Sequence, residues 1–204
     1  MESSEHALLL AWRNGDRNAG SEIISRHVDA LHRFFFNKVG DPQQLEELVQ
    51  QTFAACVEGV DRFREDAEFR TWMFAIARNR LRKWIIERTK REAIDDEVDS
   101  VVALGVGPGS AVDAKRERRL LLLGLREIPV ESQTILELYY WEDLSASQLG
   151  AVLGIPEGTA RGRIRKAKLD LRAAIDRLAR DRAELESTVG RLDDWARSLR
   201  KRDA

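Results

Sequence analysis

The sequence predicts an all-α protein built from two small helical domains that are joined by an acidic flexible linker. Apolar residues recur at spacings of three and four along most of the chain, and no segment alternates apolar and polar residues over a strand's length. A stretch from 94 to 112 contains three glycines and a proline and has no sustained helical period. We therefore predict domains at 1–92 and 114–180, a linker at 93–113 and a C-terminal helical extension at 181–204.

Composition fits a folded protein and leaves little ground for enzyme chemistry. The 204 residues are 43% hydrophobic and 34% charged. No apolar run approaches the ~18 residues of a membrane span, and no signal-type apolar core follows the N-terminus, so we expect a cytoplasmic protein without membrane insertion. The single cysteine, Cys56, is expected to be a packed core residue, and His27 and His32 to be packed or partly exposed. No catalytic residue, metal site or cofactor is predicted.

The first domain is predicted to be a series of amphipathic helices. A break at Gly40 precedes Asp41, a natural N-cap, and Pro42, which suits the first position of a helix. The helices follow the apolar sets from Leu8 to Trp12, Ile23 to Phe35, Leu45 to Val60 and Phe69 to Ile85.

The second domain is predicted to contain a helix-turn-helix. One helix runs from near Ala114 to about Glu127, and the next opens at Pro129 and ends near Trp141. Ser145 and Gln148 then have the spacing of a capping box, and Gly154 suits the left-handed residue that ends a short helix. In the turn, Ile155 is expected to anchor in the core and Pro156 to be the first residue of a second helix, with Gly150 allowing that helix to cross closely.

The second helix of this motif combines an apolar stripe with basic flanks. Its inward stripe is predicted to be Ala160, Ile164, Ala167 and Leu171, and Gly158 and Gly162 lie outermost. A basic helix is most often only a solvated surface, but the capped first helix and the glycine turn favour DNA recognition. The predicted DNA contacts lie on both flanks, with Arg161, Arg165, Lys168 and Arg172 on one and Thr159, Arg163 and Lys166 on the other.

The net charge of −1 hides opposed blocks. Residues 41–66 carry a net charge of −5, residues 78–91 carry +6, residues 92–113 carry −6 and residues 157–172 carry +4. Two basic helices separated by acidic stretches suit a protein that touches a polyanion in two places and another partner with its acidic parts.

Three motifs in order resemble the bacterial sigma factors of the extracytoplasmic-function type, whose fold has a region 2 helical bundle and a region 4 helix-turn-helix. The run from Leu153 to Ile164 resembles region 4, which reads the −35 promoter element. The runs from Glu46 to Phe53 and from Phe69 to Asn79 resemble two parts of region 2. The sequence departs from the usual family pattern at Gln51, Ala160 and Gly162.

The resemblance implies a non-enzymatic subunit that binds core RNA polymerase and directs promoter recognition and DNA melting. It implies docking on the clamp helices of the polymerase β′ subunit through Glu46, Glu47 and Gln50. An anti-sigma factor is a further candidate partner. The residues implied for the −10 element are Arg64, Trp72, Arg78, Asn79, Arg82 and Lys83.

Alternatives stay open from the sequence alone. One rival is a stand-alone helix-turn-helix repressor or activator, and another is a module that sequesters polymerase without promoter selectivity. The acidic linker fits either a mimic of nascent RNA or a solvated tether. The heptad-spaced residues of the extension fit either a regulatory helix that docks on its own domains or a partner, or a frayed amphipathic end.

Overall fold

A computed structural model describes residues 4–63, 68–92, 112–179, 188 and 190. Residue contacts divide the chain into two compact units, Met1–Gly105 and Val106–Ala204. Within the described residues every regular element is a helix, which confirms the all-α prediction. The predicted linker, apart from its last two residues, and nearly all of the predicted extension lie outside the described residues.

In residues 4–63 and 68–92 the first unit has four helices and one short 3₁₀ turn at Val60–Arg62. Side-chain caps fix where the helices begin: the Asp16 carboxylate accepts from the backbone N–H of Asn18 at 2.9 Å, and that of Asp41 accepts from Gln43 at 2.8 Å. Pro42 is the first helical residue, as the sequence predicts. The helices are α1 (Glu5–Arg13), α2 (Arg17–Phe36), α3 (Pro42–Gly59) and α4 (Phe69–Glu92).

Aromatic and aliphatic side chains form the core of the first unit, where Phe35, Phe69 and Phe74 are fully buried. Cys56 is also buried, and burial raises the pKa of its thiol to about 12. His27 is buried with its Nε2 3.0 Å from Glu5 Oε2, and this hydrogen bond holds the pKa of Glu5 below its ordinary value. The expectation that Cys56 packs in the core is confirmed, and of the two situations expected for His27 the structure shows the packed one.

In residues 112–179 the second unit has four helices, and the longest of these packs against the other three. The helices are α5 (Val112–Arg126), α6 (Val130–Tyr140), α7 (Ala146–Leu153) and α8 (Glu157–Leu178), and α8 contacts α5, α6 and α7. Leu149, Leu171 and Ile175 are fully buried between them. Among the described residues, no helix is long and apolar enough to cross a membrane.

Candidate nucleic-acid interface

Helix α7 is closed at both ends by the local signals that the sequence predicts. The Ser145 hydroxyl accepts from the Gln148 backbone N–H at 3.2 Å, and the Ser145 backbone N–H donates to Gln148 Oε1 at 2.8 Å. This reciprocal pair is a complete capping box. Gly154 ends the helix with φ +67° and ψ +37°, a left-handed conformation that a side chain would disfavour.

The turn after Gly154 brings α8 close to α7. The Ile155 backbone N–H donates to the Gly150 carbonyl at 2.9 Å, and a Cβ added at Gly150 would lie 2.8 Å from the Ile155 carbonyl oxygen. Ile155 is half-buried rather than fully in the core. Pro156 has ψ 147°, an extended conformation, so the prediction that it is the first helical residue is wrong by one position and α8 begins at Glu157.

Helix α8 buries one narrow stripe and leaves the rest of its surface available. Ala160, Ile164, Ala167 and Leu171 are all buried, as predicted. Nothing lies within 4 Å of a Cβ added at Gly158 or Gly162, so these glycines lie on an open surface. The basic residues occupy the two sides between that surface and the core.

The first basic side comprises Arg161, Arg165, Lys168 and Arg172. The Arg161 guanidinium donates to Glu157 Oε1, and the distance from Arg161 Nε to that oxygen is 3.0 Å. The Lys168 ammonium lies 4.7 Å and 4.9 Å from the ring centroids of Tyr139 and Tyr140. Arg165 and Arg172 are exposed, and within residues 112–179 they form no hydrogen bond or ion pair. This side therefore presents positive charge to solvent.

The second basic side comprises Thr159, Arg163 and Lys166, and its two cations are paired with carboxylates. Arg163 Nη1 lies 2.7 Å from Oε1 of Glu131 on α6. Lys166 Nζ donates to both oxygens of Asp170, at 2.8 Å and 3.0 Å. These pairings were not predicted.

Asp170 is itself held from helix α6. The Ser132 hydroxyl donates to Asp170 Oδ2 at 3.0 Å. The hydrogen bond from Lys166 and then that from Ser132 keep the pKa of Asp170 below its ordinary value, against the opposing effect of desolvation. The pair of Lys166 and Asp170 could have been predicted from their four-residue spacing. The contact of Asp170 with Ser132 could not, because it joins two different helices.

Helix α4 presents part of the predicted −10 set on its surface. Asn79, Arg82 and Lys83 are exposed at positions that share one side of the helix, whereas Arg78 is half-buried. Arg64 lies outside the described residues.

Trp72 is half-buried at the start of α4. Its ring centroid lies 5.0 Å from that of Phe63 and 5.8 Å from that of Phe69, and Gly59 leaves room for it against the end of α3. Much of its surface therefore serves packing, with one part left accessible.

The three predicted docking residues on α3 are all exposed. Glu46 Oε1 lies 2.9 Å from Nε2 of His32 on α2, and Glu47 Oε1 accepts from Gln51 Nε2 at 3.0 Å. A further contact that the sequence did not predict joins α4 to the start of α3, where Trp84 Nε1 donates to Gln44 Oε1 at 2.9 Å.

A capped helix-turn-helix with an exposed basic second helix is typical of a DNA-binding protein. Comparison with known families makes this specific. The family "Sigma-70 region 2" matches residues 23–95, and "Sigma-70, region 4" matches residues 124–173, which include α7 and most of α8.

Individual relatives agree with the family matches. The chain is 26% identical to the extracytoplasmic-function (ECF) RNA polymerase sigma factor SigW of Bacillus subtilis, over 80% of this chain and 92% of that protein. It is 28% identical to the RNA polymerase sigma factor CnrH of Cupriavidus metallidurans, over 86% and 96% of the two chains.

Two solved structures share the fold. That of CnrH in complex with the cytosolic domain of CnrY has a TM-score of 0.64 and 22% identity, covering 87% of this chain and all of that one. That of the Bartonella quintana sigma factor RpoE in complex with the anti-sigma factor NepR has a TM-score of 0.64 and 19% identity, covering 76% and 96%.

The chain belongs to the sigma-70 family, in its extracytoplasmic-function group. It is a non-enzymatic sigma factor that associates with RNA polymerase and directs promoter recognition for transcription initiation. The region 2 match at residues 23–95 disfavours the alternative of a stand-alone helix-turn-helix regulator, because such a regulator does not require a region 2 domain.

Proposed function

We propose that α8 reads the −35 element in the major groove. The observation that carries this proposal is the exposed basic surface of α8, which flanks the open positions Gly158 and Gly162 directly after the helix-turn-helix crossing. Arg161 and Arg163, with Thr159, lie near the N-terminus of the helix and contact base edges. The contacts to backbone phosphates come from Arg165, Lys166, Lys168 and Arg172.

Helix α4 and the segment before it read and help to melt the −10 element. The exposed Asn79, Arg82 and Lys83 approach phosphates and bases, with Arg78 beside them. The accessible part of Trp72 supplies an aromatic surface on which an unstacked base can lie. Arg64 is proposed for the same contact.

Helix α3 docks on the clamp helices of the polymerase β′ subunit through Glu46, Glu47 and Gln50. Their exposure on one helix, in a segment with net charge −5, supports this proposal. Residues 1–92 and 114–180 act as the two functional domains, residues 93–113 as the acidic linker and residues 181–204 as a C-terminal extension.

The protein acts in the cytoplasm and is kept inactive by binding to an anti-sigma factor. This is proposed because one solved relative is a complex with an anti-sigma factor and another is a complex with the cytosolic domain of a second protein.

Reconstituted transcription tests the proposal. Core polymerase with this chain should start transcripts at discrete positions on templates selected from a pool of random duplexes. Arg161→Ala and Arg163→Ala should relax discrimination at −35 by about 1–3 kcal/mol for each lost base contact while leaving core binding intact. If both variants discriminate −35 mutants as the wild type does, the assignment of α8 is wrong.

The docking surface is tested separately by competition for core polymerase. Reversal of Glu46 and Glu47 to Lys should weaken core binding, whereas Glu58→Lys, at the other end of the same helix, should not. Normal competition by the double variant against another sigma factor would contradict the docking assignment.

A further inference from the structure

We propose that Asp170, held by Ser132, is a positioning residue that determines the specificity of DNA binding. Its ion pair with Lys166 keeps that lysine from binding the phosphates of DNA of arbitrary sequence. This inference rests on the proposed function of α8. The two basic sides of α8 differ in how their cations are paired. On the first side Arg165 and Arg172 are exposed to solvent, whereas both cations of the second side form ion pairs with carboxylates.

The Lys166–Asp170 pair depends on an anchor outside its own helix. In an isolated helix the favoured order for a pair four residues apart is acid first and base second, and here the order is reversed. The Lys166 side chain is 71% exposed, but that of Asp170 is only 23% exposed. The Ser132 hydroxyl fixes the covered carboxylate from α6 at 3.0 Å. The ammonium is therefore drawn to a carboxylate that cannot move with it.

The consequence concerns DNA of arbitrary sequence. A lysine contributes to non-specific affinity when its ammonium replaces a counterion at a phosphate. Lys166 must first leave both oxygens of Asp170, at 2.8 Å and 3.0 Å, and the uncompensated carboxylate would then repel the same phosphate. Only a duplex that fits the whole helix offers enough other contacts to offset this, so Asp170 raises the ratio of specific to non-specific binding.

The test compares Asp170→Asn with Asp176→Asn. Asp176 is an exposed acid on the same helix, so the two variants change the net charge equally. Binding of the full chain to a short duplex of arbitrary sequence is measured across a KCl titration. The slope of log affinity against log salt should steepen by about 0.9 in Asp170→Asn, because Lys166 then neutralises one more phosphate, and should stay unchanged in Asp176→Asn.

Ser132 provides a second, independent variant that keeps the carboxylate. In Ser132→Ala the salt slope should lie between that of the wild type and that of Asp170→Asn. Ser132→Thr retains the hydroxyl and should therefore have the wild-type salt slope. A role confined to helix stability would lower the melting temperature in these variants without changing the salt slope.

The results separate this inference from the proposed function. Equal salt slopes for Asp170→Asn and Asp176→Asn, or no binding of Asp170→Asn at low salt, would overturn the role of Asp170. In the holoenzyme, Asp170→Asn should also lower the ratio of promoter to non-promoter binding several-fold. A wild-type holoenzyme that cannot distinguish the two duplexes would instead contradict the function proposed for α8.

Discussion

Gly150→Ala tests the helix crossing on which the DNA-binding surface depends. The added methyl carbon would lie 2.8 Å from the Ile155 carbonyl oxygen and 3.5 Å from the Glu157 nitrogen, whereas ordinary contact begins near 3.4 Å. Only the first distance is too short, and the Ile155 carbonyl is a backbone group in a turn that Gly154 and the hydrogen bond from Ile155 to Gly150 already fix. Overpacking of this kind costs about 1–3 kcal/mol, and the better helix propensity of Ala offsets about 1 kcal/mol of it.

The expected net effect of Gly150→Ala is a loss of up to about 2 kcal/mol, or up to about 16 °C in the melting temperature of a domain this small. Gly162→Ala is the matched control, because nothing lies within 4 Å of its added methyl group and only the propensity gain remains. It should raise the melting temperature by about 4 °C or more. Calorimetry of the full chain measures both, with hydrogen exchange of α7 and α8 peptides to assign the transition. If Gly150→Ala is as stable as Gly162→Ala, the close crossing is wrong.

Three further predictions concern the first unit. Cys56 should not react with thiol reagents in the native chain at neutral pH, because burial raises its pKa to about 12; rapid native labelling would contradict its placement. The pKa of Glu5 is lowered in the folded state, chiefly by the hydrogen bond with His27, so its contribution to stability is present above the ordinary carboxyl range and disappears as pH falls through the lowered value. In urea unfolding, Glu5→Gln should therefore have a lower free energy of unfolding than the wild type at neutral pH. In acid the two proteins should be equally stable. Trp84→Phe should cost about 1 kcal/mol through the lost hydrogen bond to Gln44, and a double-mutant cycle with Gln44→Ala that gives no coupling would refute this.

Features set by neighbouring residues were predictable from the sequence, and contacts between helices were not. The capping box at Ser145 and the left-handed Gly154 involve atoms within a few positions of one another, so residue type and spacing were sufficient. The Arg163–Glu131 pair joins residues 32 positions apart, and its existence depends on how α6 and α8 cross. Trp72 shows the same limit, because the family resemblance assigned it to the −10 element but did not show that its ring is half-buried against Phe63 and Phe69.

The ion pairs on α8 also bear on how a chain with a net charge of −1 can bind a polyanion. Arg161 is paired with Glu157 on its own helix, an exposed contact worth about 0.3–0.5 kcal/mol that can exchange for a base edge without moving any other element. Arg163 is paired with Glu131 on α6, so its release breaks a contact between two helices. A net charge of −1 for the chain is compatible with promoter recognition, because residues 157–172 still carry a net charge of +4 after Glu157 and Asp170 are counted.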